Sequence, residues 1–171
     1  LMTKLLRDLT DYSMSDQLTK QRSDLCNLLR RAYLSCLPLT EGTNKTLTYT
    51  SRVSCAYMPL DSPKMMEALL NLIVNALDAV SDNGSVQIIL TKSNEQFVVS
   101  IIDDGCGIAP KQLLTIFHPF TTTKPDGTGL GLPVAKRIIE GHGGHIRVSS
   151  APNQGATFTF LLPCSFSSDK K

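Results

Sequence analysis

At 171 residues, with 42% hydrophobic and 19% charged residues, the chain has the size and composition of one globular domain with a sizeable core. Its net charge of +2 gives no electrostatic reason to expect a nucleic-acid partner, and no apolar run approaches the ~18–20 residues of a membrane span. Five widely spaced cysteines without a C-x-x-C pair argue against a disulfide framework or a zinc site. We therefore expect a cytoplasmic domain.

The first 36 residues are predicted to be helical. Apolar residues recur there at helical spacing, with charges between them. They are Leu5, Leu6, Leu9, Leu25, Leu28, Leu29 and Ala32. Ser23 or Asp24 is a candidate cap for the second half, and Pro38 and Gly42 would end the segment. Two interpretations stay open: a pair of packing helices, or the end of a dimerisation element.

The next segment predicts strands around one buried helix. Thr46 to Val53 alternates as a strand does. The helix begins at Asp61-Ser62-Pro63, where a capping carboxylate precedes a proline suited to the first turn, and it runs to about Val80. Asn83-Gly84 predicts a tight hairpin turn. Two further strands are predicted at residues 86–91 and 97–102.

Beyond Asp103 the pattern predicts a short helix from Pro110 to about Phe117 and a long loop over residues 118–130. A helix from Leu132 to Glu140 follows. The closing strands are predicted at residues 146–150 and 156–162. This mixture indicates an α/β (α+β) two-layer sandwich, with a sheet covered on one face by helices.

The central helix carries a polar stripe on an otherwise apolar surface, formed by Glu67, Asn71, Asn75 and Asp78. Residues four apart lie one turn apart on the same face. Burying an amide without a partner costs about 1–3 kcal/mol, so a ligand such as phosphate-bound Mg²⁺ is a fitting partner. We predict Asn75 as the metal ligand, supported by Asn71 and Asp78. The alternative is a set of solvent-facing or core-capping amides.

Two glycine-rich loops follow. Asp103 stands at a strand end, where its carboxylate can accept a hydrogen bond from the exocyclic amine of adenine. Gly105 and Gly107 would let a flat base lie against the backbone. The alternative for this loop is an ordinary tight turn.

The second loop contains Gly127, Gly129 and Gly131 directly before a helix, where backbone N–H groups and the helix dipole favour phosphate. It is not a Walker P-loop, because no G-x-x-x-x-G-K-[ST] sequence occurs. Lys124 and Thr121 to Thr123 lie just upstream, in a segment that reads as a lid.

The motifs in order resemble the N, G1, F, G2 and G3 boxes of sensor histidine kinases. They are Asn71-x3-Asn75, Asp103-x-Gly105-x-Gly107, Phe117-x2-Phe120, Gly127-x-Gly129-x-Gly131 and Gly155-x-Thr157. The resemblance runs from about Thr46 to Leu162 and is greatest to the nitrogen-regulation type. The catalytic domain of these kinases belongs to a wider group that includes gyrase, the Hsp90 chaperones and MutL.

The resemblance implies a Bergerat ATP-binding fold with a mixed, mostly antiparallel sheet, which binds ATP or ADP with Mg²⁺ beneath a mobile lid. Asn75 would hold Mg²⁺, and Asn71 and Lys124 would be catalytic. Thr157 would line the adenine side, and Phe117 and Phe120 would anchor the lid base in the core. The implied nucleotide-binding residues are Asn75, Asp78, Asp103, Gly105, Gly107, Ile108, Phe120, Thr121, Thr122, Lys124, Gly127, Thr128, Gly129, Leu130, Gly131 and Thr157.

The resemblance also implies a domain division. Residues 1–36 would be the end of the dimerisation and phosphoacceptor domain, 43–165 the catalytic domain and 166–171 a tail. No histidine lies in the first segment, so the phosphoacceptor is absent; His142 is expected to be structural. The implied partners are the protein's own helical domain and the receiver domain of a response regulator, in a parent homodimer that is cytoplasmic or membrane-anchored.

Asn71 separates the chain from related ATPases. They carry a glutamate at this position as the base that activates water, and an amide cannot take up a proton at neutral pH. Asn71 therefore favours phosphoryl transfer to histidine, because a neutral imidazole is already nucleophilic. The alternatives are an ATPase switch and a non-catalytic nucleotide-binding module of the same fold.

Overall fold

The computed structural model describes residues 18–122, 124 and 127–164. Over these residues the chain forms a five-stranded sheet, a two-stranded ribbon and helices on one face of the sheet. In chain order the elements are β1 (Gln21–Asp24), α1 (Leu25–Cys36), a 3₁₀ turn (Leu37–Thr40), β2 (Thr46–Ser51), β3 (Tyr57–Leu60), α2 (Ser62–Ala79), β4 (Ser85–Ser93), β5 (Gln96–Asp103), α3 (Pro110–Leu113), α4 (Gly131–Gly141), β6 (His145–Ser150) and β7 (Ala156–Pro163).

The sheet has the strand order β2-β4-β5-β7-β6, and only β2 and β4 run parallel. The predicted two-layer sandwich with a mostly antiparallel sheet is confirmed. The predicted hairpin at Asn83-Gly84 is wrong, because this turn leads from α2 into β4. Parallel neighbours need a crossover connection, and α2 lies on the path from β2 to β4. The tight hairpin joins β4 to β5 instead, at Asn94, whose φ is +53°.

Alternation along the strands separates a covered face from an open one. In β5 the residues Phe97, Val99, Ile101 and Asp103 are buried, and the residues between them are half-buried. The covered face packs against α2 and α4, whereas Ser100 on the open face shares a hydroxyl hydrogen bond with its neighbouring strand. One-sided burial of this kind is typical of antiparallel sheets with one solvated face.

The N-terminal segment differs from the predicted helix. Gln21–Asp24 is a strand that pairs antiparallel with β3, and α1 begins only at Leu25. The Asp24 side chain caps α1 by accepting a hydrogen bond from the Cys26 N–H, as predicted, and it also accepts one from the Ala56 N–H. This carboxylate therefore holds the ribbon and the helix start together. The apolar residues before position 18 lie outside the described residues.

Helix α1 shares the hydrophobic core of the sheet and α2. Its buried residues belong to the same cluster as those of α2 and β5. They are Leu25, Leu28, Leu29, Ala32 and Cys36. The predicted assignment of the segment up to residue 36 to a separate helical domain is therefore corrected for α1, which packs as part of the sandwich. For residues 1–17 that assignment stays a prediction.

Side chains satisfy backbone groups at both ends of helix α2. Asp61 is the N-cap of α2, as predicted, and accepts a hydrogen bond from the Lys64 N–H at 3.1 Å. At the other end the Lys45 ammonium donates to the Leu77 carbonyl at 2.9 Å, where a cation complements the helix dipole. Helix α3 is one turn long, shorter than predicted, and continues as turns. None of the described helices combines the length and apolarity of a membrane span.

Candidate functional site

The polar stripe of α2 lies beside the first turn of α4. Asn71 and Asn75 are half-buried and Asp78 is exposed, on the side of α2 away from its core-facing residues. A methyl group built on Gly131 would lie 3.5 Å from the Asn71 Oδ1, so the start of α4 faces this amide. Glu67, one turn before Asn71, forms an ion pair with Lys64 at 3.0 Å.

The lid lysine reaches the same stripe. The Lys124 Nζ lies 2.8 Å from the Asp78 Oδ2 and 3.2 Å from the Asn75 Oδ1. Both side chains of the ion pair are about half exposed, at 42% and 52%, so solvent screens the attraction and its contribution to stability is small. The contact nevertheless shows that the Asn75 and Asp78 oxygens converge on one cationic group.

The N-terminus of α4 has no side-chain cap. Its N-cap residue is Leu130, and the first backbone bond of the helix runs from the Val134 N–H to the Leu130 carbonyl at 3.0 Å. Pro133 has no N–H to satisfy. Among the described residues none caps the Gly131 and Leu132 N–H groups, and the positive end of the helix dipole lies there. This end of α4 suits an anionic ligand.

Asp103 is a buried carboxylate whose two oxygens are used unequally. It is 5% exposed, and its Oδ1 accepts hydrogen bonds from the Gly105 N–H at 3.0 Å and the Ala156 N–H at 3.1 Å. Its Oδ2 accepts none from the described residues. Burial raises the pKa of the carboxyl, and the two backbone bonds oppose that rise. Oδ2 is thus the atom available to a ligand donor.

The glycines of the first loop are required by the packing of the backbone. A Cβ on Gly105 would collide with the Ala79 carbonyl at the end of α2, and one on Gly107 would collide with the Ala151 carbonyl. Close backbone approach therefore requires both glycines, which fix the loop that carries Asp103. Ile108 follows, half-buried, and its N–H donates to the Ser150 Oγ at 2.9 Å.

Thr157 does not lie on the side of the sheet that was predicted. Asp103 pairs with Ala156, whereas Thr157 pairs with Ile102. Successive side chains of a strand point to opposite faces, so Thr157 lies on the open face and Asp103 on the covered one. The strand residue beside the carboxylate is Ala156, which acts through its backbone N–H. The apolar side chain of Ala156 gives no sign of this role in the sequence. Only its pairing with Asp103 in the sheet shows that its backbone N–H can reach the carboxylate.

The two phenylalanines at the lid base also behave differently. Phe117 packs edge-on against Phe158 with 6.4 Å between ring centroids, and it anchors this segment to the core as predicted. Phe120 is 61% exposed, so the prediction that it anchors in the core is wrong. Its φ of +64° turns the chain, and its N–H donates to the Gly129 carbonyl at 3.0 Å. This bond ties the two ends of the lid together.

Within the lid, Thr122 accepts a hydrogen bond from the Lys124 N–H at 3.1 Å through its Oγ1, and the same oxygen lies beside Gly127. Thr121 and Thr128 are half-buried. Residues 123, 125 and 126 lie outside the described residues. Of the predicted residues of the lid and the α4 start, the structure places Lys124 and Gly131 against the polar stripe.

Residues 60–165 match the family described as histidine kinase-, DNA gyrase B- and HSP90-like ATPases. This chain belongs to that family. The match covers every motif from the stripe of α2 to β7, and it includes Asp103 and both glycine-rich loops.

The similar curated proteins are sensor kinases. The chain is 36% identical over 165 residues to the signal transduction histidine-protein kinase AtoS of Escherichia coli K12, covering 95% of this chain and 27% of AtoS. It is 33% identical over 163 residues to the sensor histidine kinase ZraS of Salmonella typhimurium, covering 95% of this chain and 35% of ZraS. The chain thus spans about a third or less of these relatives.

Solved structures agree with the fold. The catalytic domain of the histidine kinase ThkA superposes with a TM-score of 0.78 at 29% identity, over 85% of this chain and 96% of ThkA's domain. Full-length ShkA in complex with AMPPNP gives 0.85 at 25% identity, over 95% and 35% of the two chains. ThkA in complex with the response regulator TrrA gives 0.81 at 25%, over 95% and 47%. The chain is an ATP-binding catalytic domain of the sensor histidine kinase type.

Proposed function

We propose that this domain binds Mg-ATP and transfers the γ-phosphoryl group to a histidine on a helical partner domain. The observation that carries the proposal is that two segments border the helix with the polar stripe: the uncapped start of α4 faces Asn71, and the loop that follows Asp103 packs on Ala79 at the end of α2. The ShkA complex with an ATP analogue, from a chain of the same fold, supports the same ligand class.

Adenine recognition is assigned to Asp103. The Oδ1 is held by two backbone N–H groups, which orient the carboxylate and leave Oδ2 to accept from the exocyclic amine of adenine. Guanine presents an oxygen acceptor at that place, and it would leave the buried carboxylate without a donor. A site built on such a hydrogen bond rejects the analogue that lacks it.

The residues on α2 fit a hydrated Mg²⁺. The Asn75 Oδ1 and the Asp78 Oδ2 already hold the Lys124 ammonium, so they can converge on a cation, and oxygen is the ligand that Mg²⁺ prefers. We assign Asn75 as the residue that would hold the metal, with Asn71 and Asp78 as supporting polar groups on the same face of α2. The metal would offset negative charge on the phosphates.

Phosphate binding is assigned to the start of α4 and to the lid. Backbone N–H groups at Gly131 and Leu132 would donate to phosphate oxygens, with Gly127, Thr128 and Gly129 shaping the approach. Lys124 is within reach of the stripe, so its ammonium would contact the phosphates from the lid side and stabilise charge during transfer.

A histidine would accept the phosphoryl group in this site more readily than water would. Asn71 cannot accept a proton, and Glu67, the carboxylate one turn earlier, is engaged with Lys64. Rapid hydrolysis would need a general base, whereas a neutral imidazole attacks without one. This argument disfavours the ATPase alternative.

The partners follow from the same proposal. The acceptor histidine would lie on the helical domain of the parent protein, which would act as a homodimer and pass the phosphoryl group to a response regulator. The ThkA–TrrA complex supports a partner of this class. We assign the domain to the cytoplasmic side of the cell, with no nucleic-acid partner.

Calorimetric titration with ATP and GTP, each with and without Mg²⁺, tests the proposed nucleotide binding. We expect Mg-enhanced binding of ATP and none of GTP. Equal binding of both nucleotides would contradict the adenine assignment.

A phosphotransfer assay tests the proposed phosphoryl transfer, with the domain fused to the phosphoacceptor helices of a related sensor kinase. With ATP labelled in its γ-phosphoryl group, the labelled phosphoryl group should appear on the acceptor histidine, in a bond that is stable in base and labile in acid. It should be absent from the His→Gln variant of that acceptor. Steady release of phosphate by the isolated domain would favour the ATPase alternative instead.

A further inference from the structure

Two cysteines meet where the N-terminal ribbon runs into α1. The antiparallel register of β1 and β3 pairs Ser23 with Met58 and Asp24 with Tyr57. The next step of that register is marked by the hydrogen bond from the Leu25 N–H to the Ala56 carbonyl, 2.9 Å long. Cys26 follows Leu25 in the first turn of α1, and Cys55 directly precedes Ala56.

Hydrogen bonds on both sides hold this juxtaposition. The Cys26 N–H and the Ala56 N–H both donate to the same Asp24 Oδ1, at 3.0 and 2.8 Å. The Cys26 Sγ lies 3.7 Å from the Val53 carbonyl, two residues before Cys55. The Asp24 Oδ1 thus lies within 3.0 Å of the backbone nitrogens of Cys26 and of Ala56, the residue next to Cys55, so the two cysteines are near neighbours where the ribbon meets the helix.

The two thiols differ in access. Cys55 is exposed, whereas Cys26 is half-buried and its Sγ contacts the Ser51 hydroxyl. Burial raises the pKa of the Cys26 thiol, and the neighbouring Cys55 raises it further. Cys55 is therefore the thiol that an oxidant in solution meets first, and Cys26 is the neighbour that can resolve the product.

We propose that Cys26 and Cys55 form a reversible disulfide under peroxide stress. The Cys55 thiolate attacks one oxygen of hydrogen peroxide, giving a sulfenic acid and hydroxide. The Cys26 sulfur then attacks the sulfenic sulfur, the S–S bond forms and the sulfenic oxygen leaves as water after taking up a proton. In sum, two thiols and one peroxide give one disulfide and two waters, and a dithiol reductant reverses the change.

The bond would fasten the start of α1 to the segment that leads into β3. That strand runs directly into Asp61, the N-cap of α2, which carries the polar stripe. Oxidation would thus fix the N-terminal ribbon relative to the nucleotide-binding helix. The odd count of cysteines concealed the pair in the sequence, because the fold, and not their spacing along the chain, brings these two near each other.

Peptide mapping of the full chain tests the proposal. The chain is treated with hydrogen peroxide, its remaining thiols are alkylated, and it is digested with trypsin without reductant. Cleavage after Arg22, Arg30, Arg52 and Lys64 puts Cys26 in peptide 23–30 and Cys55 in peptide 53–64. We expect these two peptides to be linked and to separate with dithiothreitol. In the undigested chain, the same disulfide should raise the midpoint of thermal unfolding.

Variants make the outcome decisive. In Cys26→Ser the link should vanish and Cys55 should be captured by dimedone as sulfenic acid; in Cys164→Ser, the matched control, the link should persist. If Cys26→Ser does not fold, Cys55→Ser, which replaces an exposed residue, must abolish the link in its place. Both thiols alkylated after peroxide, or Cys55 linked to another cysteine, would overturn the proposal.

Discussion

Asp103, to which we assign adenine recognition, shows at the residue scale how burial and hydrogen bonding leave one carboxylate oxygen available to a ligand. Both backbone donors bind Oδ1, so the orientation of the carboxylate is fixed before any ligand arrives. In the proposed complex, Oδ2 would accept its hydrogen bond without further loss of side-chain freedom. Preorganisation of this kind raises affinity by lowering the cost of ordering.

Asp103→Asn should therefore weaken ATP binding while the fold is retained. A hydrogen bond to a charged group contributes about 1.5–3 kcal/mol, which corresponds to a loss of roughly 10- to 100-fold in affinity. Calorimetry measures the loss, and circular dichroism checks the fold. Asp104→Asn is the control, because Asp104 is exposed and accepts both of its hydrogen bonds from Ser85. Equal losses in both variants would contradict the assignment of Asp103.

Asn75→Ala should abolish the part of nucleotide affinity that depends on Mg²⁺. ADP affinity in EDTA should stay near that of the unchanged chain, because the removed amide is assigned to the metal alone. Asn27→Ala, an exposed change on α1, serves as the matched control. An equal loss of affinity with and without Mg²⁺ would argue that Asn75 holds the fold or the base instead.

The sequence allowed the location of several candidate site residues to be predicted where residue type and spacing were sufficient. Asn71 and Asn75 are four apart on a helix, and a carboxylate that follows a strand is placed by that strand's end. Residue type and spacing were not sufficient to tell which face of the sheet carries Thr157, because a shift of one residue moves a side chain to the other face. They also failed for Phe120, where a left-handed backbone turns an aromatic ring into solvent.

At the scale of elements, His142 joins the end of α4 to the start of α2. Its Nε2 accepts from the Asp61 N–H at 2.9 Å, so its Nδ1 carries the proton and donates to the Ile138 carbonyl at 2.7 Å. The Asp61 carboxylate also accepts from the Thr19 N–H. The predicted structural role of this histidine agrees with these contacts.

Stability should fall on acidification because of His142. Burial lowers the pKa of the folded imidazole, while the unfolded value is about 6.5. The unfolded chain therefore binds the proton first, so the contribution is complete above about pH 6.5 and is lost as the pH falls through the lower folded pKa. Urea unfolding from pH 8 to pH 5 measures it. His142→Gln should flatten the profile, whereas His145→Gln, at an exposed site, should leave it unchanged; an unchanged slope in His142→Gln would refute the assignment.

Gly129→Ala should destabilise the lid base more than the same change destabilises a left-handed glycine in open space. Gly129 has a φ of +67°, and a Cβ there would lie only 2.5 Å from the Phe120 carbonyl carbon. Gly42→Ala is the matched control, with a φ of +74° and open space around the new methyl group. The strain alone costs about 1–2 kcal/mol. We expect a larger loss of stability and weakened ATP binding in Gly129→Ala only, as measured by urea unfolding and calorimetry.

On the scale of the whole molecule, α1 and the sheet share one core. The helical periodicity of residues 25–36 was visible in the sequence, but its partner was not. Amphipathicity shows that a helix has an apolar face and leaves open what covers that face. The strand at Gln21–Asp24 was missed for a related reason, since four polar residues pair with β3 through backbone bonds that no side-chain pattern announces.

Leu29→Ala should destabilise the whole domain by about 2–5 kcal/mol, because Leu29 is fully buried against the core. Leu34→Ala on the same helix removes a side chain that is 51% exposed and should cost less than about 0.5 kcal/mol. Urea unfolding followed by circular dichroism compares the two. Similar small effects in both would show that α1 is an appendage, separate from the catalytic core.

The bond between the Phe120 N–H and the Gly129 carbonyl has an evolutionary consequence. Because the two ends of the lid are already joined, the span between them behaves as a closed loop on a fixed base. The entropy of closing such a loop grows only logarithmically, and doubling its length costs about 0.6 kcal/mol. Insertions and deletions between residues 121 and 128 are thus nearly neutral for folding. Selection can adjust the length of the lid independently of the stability of the domain that carries it.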